Sequence, residues 1–381
     1  MKCNNLIILI MLILSLLFYA CSDTRKAENL SDEALKEYKN GNLDKAKELF
    51  EQALKADLKS AKALNGLGNI SADQKRYKDA IDYYDQALKI DTTNPIYHIN
   101  KATVLREENK YLSALNELEA AEKKVGNKKW IIEYERAVVF ISWEKFHQAE
   151  KSLKDALKQE SDIDQVRLGQ IYSRLGLVYE RKGDYVEARK NYQKAIDLIP
   201  GDTSIQIAYG IVLYRMGSYK EALDYLRKIE KKKPDNLVMK MYIGLSLAQT
   251  GNWDDALSYL ETVKKADKNA APETDFFLGR CYMEKKQYAN AIEILKPLVN
   301  KYDNLRSLSS IIAHCSIFEN NLKDAEQYAQ NALKIDPKDL LAYQVLYEVS
   351  TRNKNKEKSE EYLAAMKKIN PDANPIKYSV K

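Results

Sequence analysis

The sequence has few of the residues that end helices or form turns. It contains 8 Pro and 13 Gly among 381 residues, fewer than loop-rich domains of this length usually contain. Apolar residues nevertheless make up 45% of the chain, which is enough for a large core. The composition therefore argues against a loop-rich fold and favours long helices joined by short turns.

Histidine is also scarce, and catalytic patterns are missing. None of His98, His147 and His314 has another His or Cys at the spacing of a metal site. No Ser or Cys nucleophile has a recognisable partner pattern. Residues 66–68 resemble the start of a phosphate-binding loop, but Ser71 replaces the later glycine. We therefore expect no enzymatic activity, no cofactor and no small-molecule substrate.

No charge of one sign dominates the chain. Lys and Arg number 61 and Asp and Glu 55, and both signs are interspersed. The basic run Lys231–Lys233 ends a predicted helix before Pro234, where cations interact favourably with the helix dipole. We expect no nucleic-acid-binding surface.

The one long apolar run lies at the N-terminus. Residues 6–20 read LIILIMLILSLLFYA and are fewer than the roughly 20 residues of a membrane-spanning helix. The run is typical of a signal peptide, and with Ala20 before Cys21 it resembles a bacterial lipoprotein signal. The resemblance implies a signal peptide over 1–20, a lipid on Cys21 and a tether over 21–26. The alternative is an uncleaved signal anchor in which Cys21 is an ordinary thiol.

The residue after Cys21 bears on the destination of the protein. Ser22, rather than Asp, is similar to the enterobacterial lipoproteins that are exported to the outer membrane. Residues 22–26 also lack the acidic run that resembles a surface-export signal. We expect a protein that is lipid-anchored in a bacterial envelope, at the outer membrane and facing the periplasm.

An alanine recurs about every 34 residues along the rest of the chain, which is the signature of an array of repeats. These alanines are Ala46, Ala80, Ala114, Ala149, Ala188, Ala222, Ala256, Ala291 and Ala325. Ten units align on them: 27–60, 61–94, 95–128, 130–163, 169–202, 203–236, 237–270, 272–305, 306–339 and 340–373. Each alanine stands at position 20 of its unit.

The residue types in this frame resemble the tetratricopeptide-repeat (TPR) family. Unit 169–202 carries Leu175, Gly176, Tyr179, Gly183, Ala188, Tyr192, Ala195 and Pro200. The resemblance implies an all-α fold, a right-handed superhelical solenoid of about ten helix-turn-helix repeats. Two helices cross closely where both carry small side chains, so we expect glycines at position 8, such as Gly176, to face the alanines at position 20.

Five extra residues, 164–168, interrupt the frame. Asp164 is a suitable helix cap, so we expect a longer first helix in the following repeat. We also expect a change of direction there, which divides the array into repeats 27–163 and 164–373. The second part ends in a degenerate, polar cap repeat, and residues 374–381 form a tail.

Cys281 and Cys315 occupy position 10 of adjacent repeats. Their equivalence suggests a disulfide. However, equivalent sites on stacked helices lie nearly a helix diameter apart, beyond the roughly 7 Å between Cα atoms that a disulfide tolerates. We favour buried free thiols, with the disulfide as the alternative.

The TPR resemblance implies a protein or peptide ligand in a concave groove lined by the first helices. Asn69 and Asn100 match the two asparagines of TPR domains that clamp chaperone carboxylates, but Asn65, Ile131 and Glu135 replace the clamp's cationic residues. We expect the asparagines to bind an extended peptide backbone. The candidate partner-binding residues are Asn65, Asn69, Asn100, Tyr134, Val138, Tyr214, Tyr242 and Phe277.

The expected function is that of an adaptor or scaffold for proteins, in assembly or secretion at the outer membrane. The alternative is carbohydrate binding, because the glycan-binding lipoproteins of gut bacteria also contain such repeats. Those proteins insert long segments between repeats, whereas the largest insertion here is 164–168. A sugar could still stack on Tyr134 or Phe277.

Overall fold

The computed structural model describes residues 23–299, 301, 307–376 and 378, and within these ranges all regular secondary structure is helical. Cys21 and the signal sequence lie outside the described residues. None of the described helices is both long and apolar enough to span a bilayer. The same residues contain no group of three or more His, Cys, Asp or Glu side chains that could hold a metal ion.

The chain divides into two compact units, of which the first ends at Pro200 and the second begins at Gly201. The helices of unit 1 are α1 (23–39), α2 (Leu43–Ala56), α3 (Ala61–Asp73), α4 (Tyr77–Ile90), α5 (Pro95–Glu107), α6 (Tyr111–Glu122), α7 (Lys129–Ser142), α8 (Phe146–Leu157), α9 (Gln165–Arg181) and α10 (Tyr185–Leu198). A short 3₁₀ helix, Glu160–Asp162, precedes α9.

Unit 2 continues the same alternation of a first and a second helix. Its helices are α11 (Thr203–Arg215), α12 (Tyr219–Glu230), α13 (Leu237–Gln249), α14 (Trp253–Ala266), α15 (Pro272–Glu284), α16 (Tyr288–Leu295), α17 (Leu308–Phe318), α18 (Leu322–Ile335), α19 (Leu340–Arg352) and α20 (Lys356–Ile369). The 3₁₀ helix Lys296–Leu298 follows α16. Each helix pair corresponds to one predicted repeat, so the predicted helix-turn-helix architecture is confirmed.

The frame also explains where the helices begin and turn. The last residue of a unit caps the next first helix: Ser60, Asn94 and Asp202 accept hydrogen bonds from main-chain N–H groups of the first turn. Between the two helices, position 15 has a positive φ in each pair, whether it is a glycine such as Gly183 or a side-chain residue such as Lys286. Every repeat therefore makes the same tight turn.

The nine position-20 alanines are all completely buried, with 0% exposure. The structure corrects the expected partner of the position-8 glycines, however. The side chain nearest to each glycine is the large residue at position 24. An added Cβ would lie between 2.4 and 2.9 Å from that residue in the pairs Gly68–Tyr84, Gly176–Tyr192, Gly210–Leu226, Gly244–Leu260 and Gly279–Leu295. A large side chain, not a small one, fills the crossing.

The inserted residues fall at the beginning of α9. This helix has 17 residues, whereas α3 and α5 have 13 each, and the Asp164 carboxylate accepts a hydrogen bond from the Arg167 N–H at 3.0 Å. The boundary between the compact units lies after Pro200. The division of the repeat array after residue 163 and the change of direction at residues 164–168 stay predictions.

The thiols of Cys281 and Cys315 are free and buried, which confirms the favoured alternative. Burial raises the pKa of each thiol to about 12, so both are protonated at neutral pH. They serve as small apolar side chains in the core.

The substitution Gly68→Ala tests the contact between positions 8 and 24. In a helix interior alanine is more favourable than glycine by about 1 kcal/mol. Its Cβ, however, would lie 2.5 Å from Cε1 of Tyr84, a residue that is only 1% exposed. Overpacking of this kind costs about 1–3 kcal/mol. We expect urea denaturation, followed by circular dichroism, to show a lower free energy of unfolding for the variant.

Gly201→Ala is the matched control. An added Cβ at Gly201 has no atom within 4 Å, so the free energy of unfolding should hardly change. If the Gly68→Ala and Gly201→Ala proteins have the same free energy of unfolding, the Tyr84 ring does not limit the space at position 68.

Candidate functional site

The candidate residues lie on first helices, whose exposed sides we call the first-helix face of each unit. Asn65 and Asn69 belong to α3, Asn100 to α5, and Tyr134 and Val138 to α7. In unit 1 the first helix α5 packs against the first helices on either side of it in the sequence, α3 and α7. In unit 2, Tyr214 lies on α11, Tyr242 on α13 and Phe277 on α15.

The structure brings the three asparagines together. Asn100 Nδ2 donates to Asn65 Oδ1 at 2.9 Å and to Asn69 Oδ1 at 3.1 Å. Tyr84 donates its hydroxyl hydrogen to the same Asn69 oxygen at 2.8 Å. Burial raises the pKa of Tyr84, which keeps this hydroxyl protonated and able to donate.

The asparagine cluster retains unused hydrogen-bonding groups. Within the described part of the chain, the Nδ2 groups of Asn65 and Asn69 and the Oδ1 of Asn100 have no hydrogen-bond partner. An extended peptide presents both carbonyl acceptors and N–H donors, so the cluster matches a peptide backbone. Asn69 and Asn100 are half-buried and Asn65 is 9% exposed, so access to Asn65 is narrow.

Tyr134 and Val138 are half-buried on α7, the next first helix after α5. Each keeps part of its side chain in solvent. On the first-helix face they therefore add an apolar strip to the amide groups that α3 and α5 contribute.

The charges of three arginines act on the carboxylate of Glu135, the residue that follows Tyr134 in the sequence. Burial raises the pKa of Glu135, and the charges of Arg106, Arg167 and Arg174 oppose that rise. Among the described residues, no hydrogen bond or ion pair engages the Glu135 carboxylate or the guanidinium groups of Arg167 and Arg174. Arg106 lies 3.3 Å from Ser142 Oγ and 2.8 Å from a Glu107 carboxylate oxygen.

The sequence analysis did not select these arginines. Arg106 and Arg174 occupy positions 12 and 6 of their repeats, and Arg167 lies in the inserted segment, outside the frame. The three positive charges outnumber the two negative charges of Glu135 and Glu107, so this part of the face has an excess positive charge. Such a surface attracts acidic groups.

The aromatic candidates of unit 2 pack mainly against their own unit. Tyr214 and Tyr242 meet edge to face with ring centroids 5.3 Å apart, and Arg215 donates to the Tyr242 hydroxyl at 3.0 Å. Tyr242 and Phe277 are each only 7% exposed. Tyr214 is half-buried, and burial raises its pKa to about 12. Tyr242 and Phe277 therefore stabilise the core of unit 2 and offer little surface to a ligand.

Sequence profiles of the family match eight of the ten repeats. The tetratricopeptide-repeat profiles match residues 31–95 and 167–231, and the profile of the N-terminal TPR region of Psidin matches residues 213–366. Together with the helix pairs, these matches show that the chain belongs to the tetratricopeptide-repeat family. No curated protein sequence matches the chain.

Solved structures of TPR proteins are similar in fold. PilW, a widely conserved type IV pilus biogenesis factor, aligns with a TM-score of 0.51 and 16% identity over 56% of this chain and 96% of its own. A TPR protein from Parabacteroides merdae ATCC 43184 aligns with a TM-score of 0.49 and 17% identity over 68% and 99%. Pseudomonas aeruginosa PilF aligns with a TM-score of 0.48 and 18% identity over 57% and 97%. TPR repeats are scaffolds for protein–protein interaction, and this chain has that architecture.

A double-mutant cycle tests the asparagine cluster. Asn69→Ala leaves the buried Tyr84 hydroxyl and Asn100 without their shared acceptor, so we expect a loss of about 1–3 kcal/mol in the free energy of unfolding. In a Tyr84→Phe background the same change should cost less, because no hydroxyl is left unpaired. The exposed Asn290→Ala serves as control. Equal costs of Asn69→Ala in both backgrounds would contradict the shared hydrogen bond.

Proposed function

We propose that this protein is an adaptor of the bacterial envelope that holds extended, acidic segments of partner proteins on the first-helix face of unit 1. Its lipid anchor is Cys21, and it acts in assembly or secretion at the outer membrane, on the periplasmic side. The observation that carries the proposal is that polar groups on the first helices lack hydrogen-bond and ion-pair partners among the described residues: two amide donors on α3 and two guanidinium groups on α9.

The asparagines and the arginines contribute differently. A hydrogen bond between an amide and a peptide carbonyl contributes about 0.5–1.5 kcal/mol, whereas one to a charged group contributes about 1.5–3 kcal/mol. The amides therefore orient an extended backbone, and Arg167 and Arg174 provide most of the affinity for acidic side chains. Tyr134 lies on α7, which comes between the two sets in chain order, and it supplies aromatic contact area.

Site-specific photocrosslinking in cells tests this function. Tyr134 is replaced by the photoreactive residue p-benzoylphenylalanine, which preserves an aromatic ring at the half-buried site. We expect ultraviolet irradiation to give a discrete protein adduct. The double change Arg167→Glu and Arg174→Glu should reduce its yield several-fold, because it replaces attraction to acidic side chains by repulsion.

Two controls accompany this experiment. The same photoreactive residue at Leu112, which is 67% exposed on the second helix α6, should give no such adduct. Lys89→Glu and Lys151→Glu change the net charge equally on exposed positions of second helices and should leave the yield unchanged. Equal yields from Tyr134 and Leu112, or equal losses in both charge variants, would contradict the proposed surface.

Metabolic labelling with radioactive palmitate tests the anchor. Cys21→Ser removes the thiol that would carry the lipid, so we expect the label to disappear and the protein to leave the membrane fraction. Cys281→Ser changes a buried thiol and should keep both the label and the membrane association. Label that persists on the Cys21→Ser protein would contradict lipidation at Cys21.

Carbohydrate binding is the second candidate function, and it would depend on a sugar that stacks on Tyr134. Phe277, the other aromatic residue considered for sugar stacking, exposes 7% of its surface. A glycan-array signal that disappears with Tyr134→Ala, in the absence of any crosslinked protein, would favour this alternative.

A further inference from the structure

The chain folds back on itself after its last helix. Residues 373–376 have no regular structure beyond α20, yet the side chain of Tyr378 is only 8% exposed. Tyr378 belongs to the apolar cluster formed by residues of α17, α18 and α19, among them Ala313, Ile317, Val345 and Val349. Of these, α17 and α19 are first helices, and they pack directly against each other. Tyr378 therefore lies against first helices of unit 2.

A defined pocket receives the Tyr378 ring. The ring centroid lies 5.2 Å from that of Phe318 and 5.4 Å from that of His314. Phe318 in turn stacks on Tyr288, with centroids 4.2 Å apart and planes inclined by 6°. The Tyr378 ring thus packs against two aromatic side chains of α17, and Tyr288 of α16 supports one of them.

Polar groups of the pocket engage both ends of the tyrosine. The Tyr378 hydroxyl and His314 Nδ1 share a hydrogen bond at 3.1 Å, and Arg352 Nη2 donates to the Tyr378 carbonyl oxygen at 3.4 Å. Arg352 is oriented by Glu348, whose carboxylate accepts from Nε at 2.6 Å. Burial lowers the pKa of His314 to about 4, so the ring is neutral at pH 7 and suits a neutral hydroxyl partner.

The contacts of Tyr378 are of the kind by which a protein recognises a peptide. An aromatic side chain is buried, its hydroxyl finds a polar partner, and the main chain beside it accepts a hydrogen bond from a fixed arginine. A tyrosine in an extended segment of another protein could make all of these contacts. Such a segment could enter only if Tyr378 leaves.

We propose that the pocket of Phe318, His314 and Arg352 is a binding site for an extended partner segment that presents a tyrosine, and that the chain's own tail is its built-in competitor. This inference goes beyond the proposed function, because it concerns unit 2 and depends neither on the lipid anchor nor on the partner of unit 1. A ligand that a short linker joins to its site within one chain acts at an effective concentration of about 1 mM.

Binding of the tail peptide in trans tests the inference. The probe is a fluorescein-labelled peptide of residues 371–381, and fluorescence anisotropy measures its binding to two purified proteins, the full chain and a variant that lacks residues 375–381. We expect the truncated protein to bind the peptide with a dissociation constant on the order of 0.1 mM. The full chain should bind about tenfold more weakly, because its own tail competes.

Variants of the peptide and of the pocket establish specificity. A peptide with Tyr378→Ala should not bind, whereas a peptide with Ile376→Ala, a partly exposed tail position, should bind normally. In the truncated protein, His314→Ala and Arg352→Ala should each weaken binding several-fold. Lys356→Ala, at an exposed position of α20, should not.

Several outcomes would overturn the inference. The first is no binding to a truncated protein whose circular dichroism and thermal unfolding match those of the full chain. If truncation unfolds unit 2, the full chain with Tyr378→Ala serves as receptor, and unfolding of that variant too would make the tail a structural element only. A full chain that dimerises through its tail would make a second copy the occupant. None of these results changes the outcome expected for photocrosslinking at Tyr134, so the two proposals can fail independently.

Discussion

The contact between a small residue at position 8 and a large one at position 24 determines how closely the two helices of a repeat approach. In unit 1, Tyr84 fills the space above Gly68, and its hydroxyl reaches Asn69 on the same helix. One side chain therefore closes the helix pair and holds the polar cluster of the first-helix face. Because the first helices α3 and α5 touch, this packing also fixes the distance between Asn69 and Asn100.

The two units use the same scaffold for different chemistry. The first-helix face of unit 1 keeps amide donors and guanidinium groups without partners in the described residues, which suits an extended acidic segment. In unit 2, Tyr242 and Phe277 are buried within the unit, and the tail covers the aromatic pocket near His314. Unit 1 thus presents a polar surface, whereas unit 2 presents an aromatic site that is already occupied.

The repeat frame predicted the architecture well because its period depends on backbone geometry and on small residues that sequence alone identifies. Ala188 and its eight equivalents are fully buried, and the thiols of Cys281 and Cys315 are free, as expected. The frame did not show which position faces the glycines, because position 24 rather than position 20 is selected by side-chain packing. Tyr378 was missed because the tail lies outside the period, and the exposure of Tyr242 depends on its neighbours.

The central claim is that partners bind to the first helices of unit 1. Crosslinking of intact cells with a lysine- and carboxylate-reactive reagent, followed by mass spectrometry, tests this without choosing a site beforehand. Crosslinks to other proteins should concentrate on residues of α3, α5, α7 and α9. Their concentration on the second helices α4, α6, α8 and α10 would contradict the account.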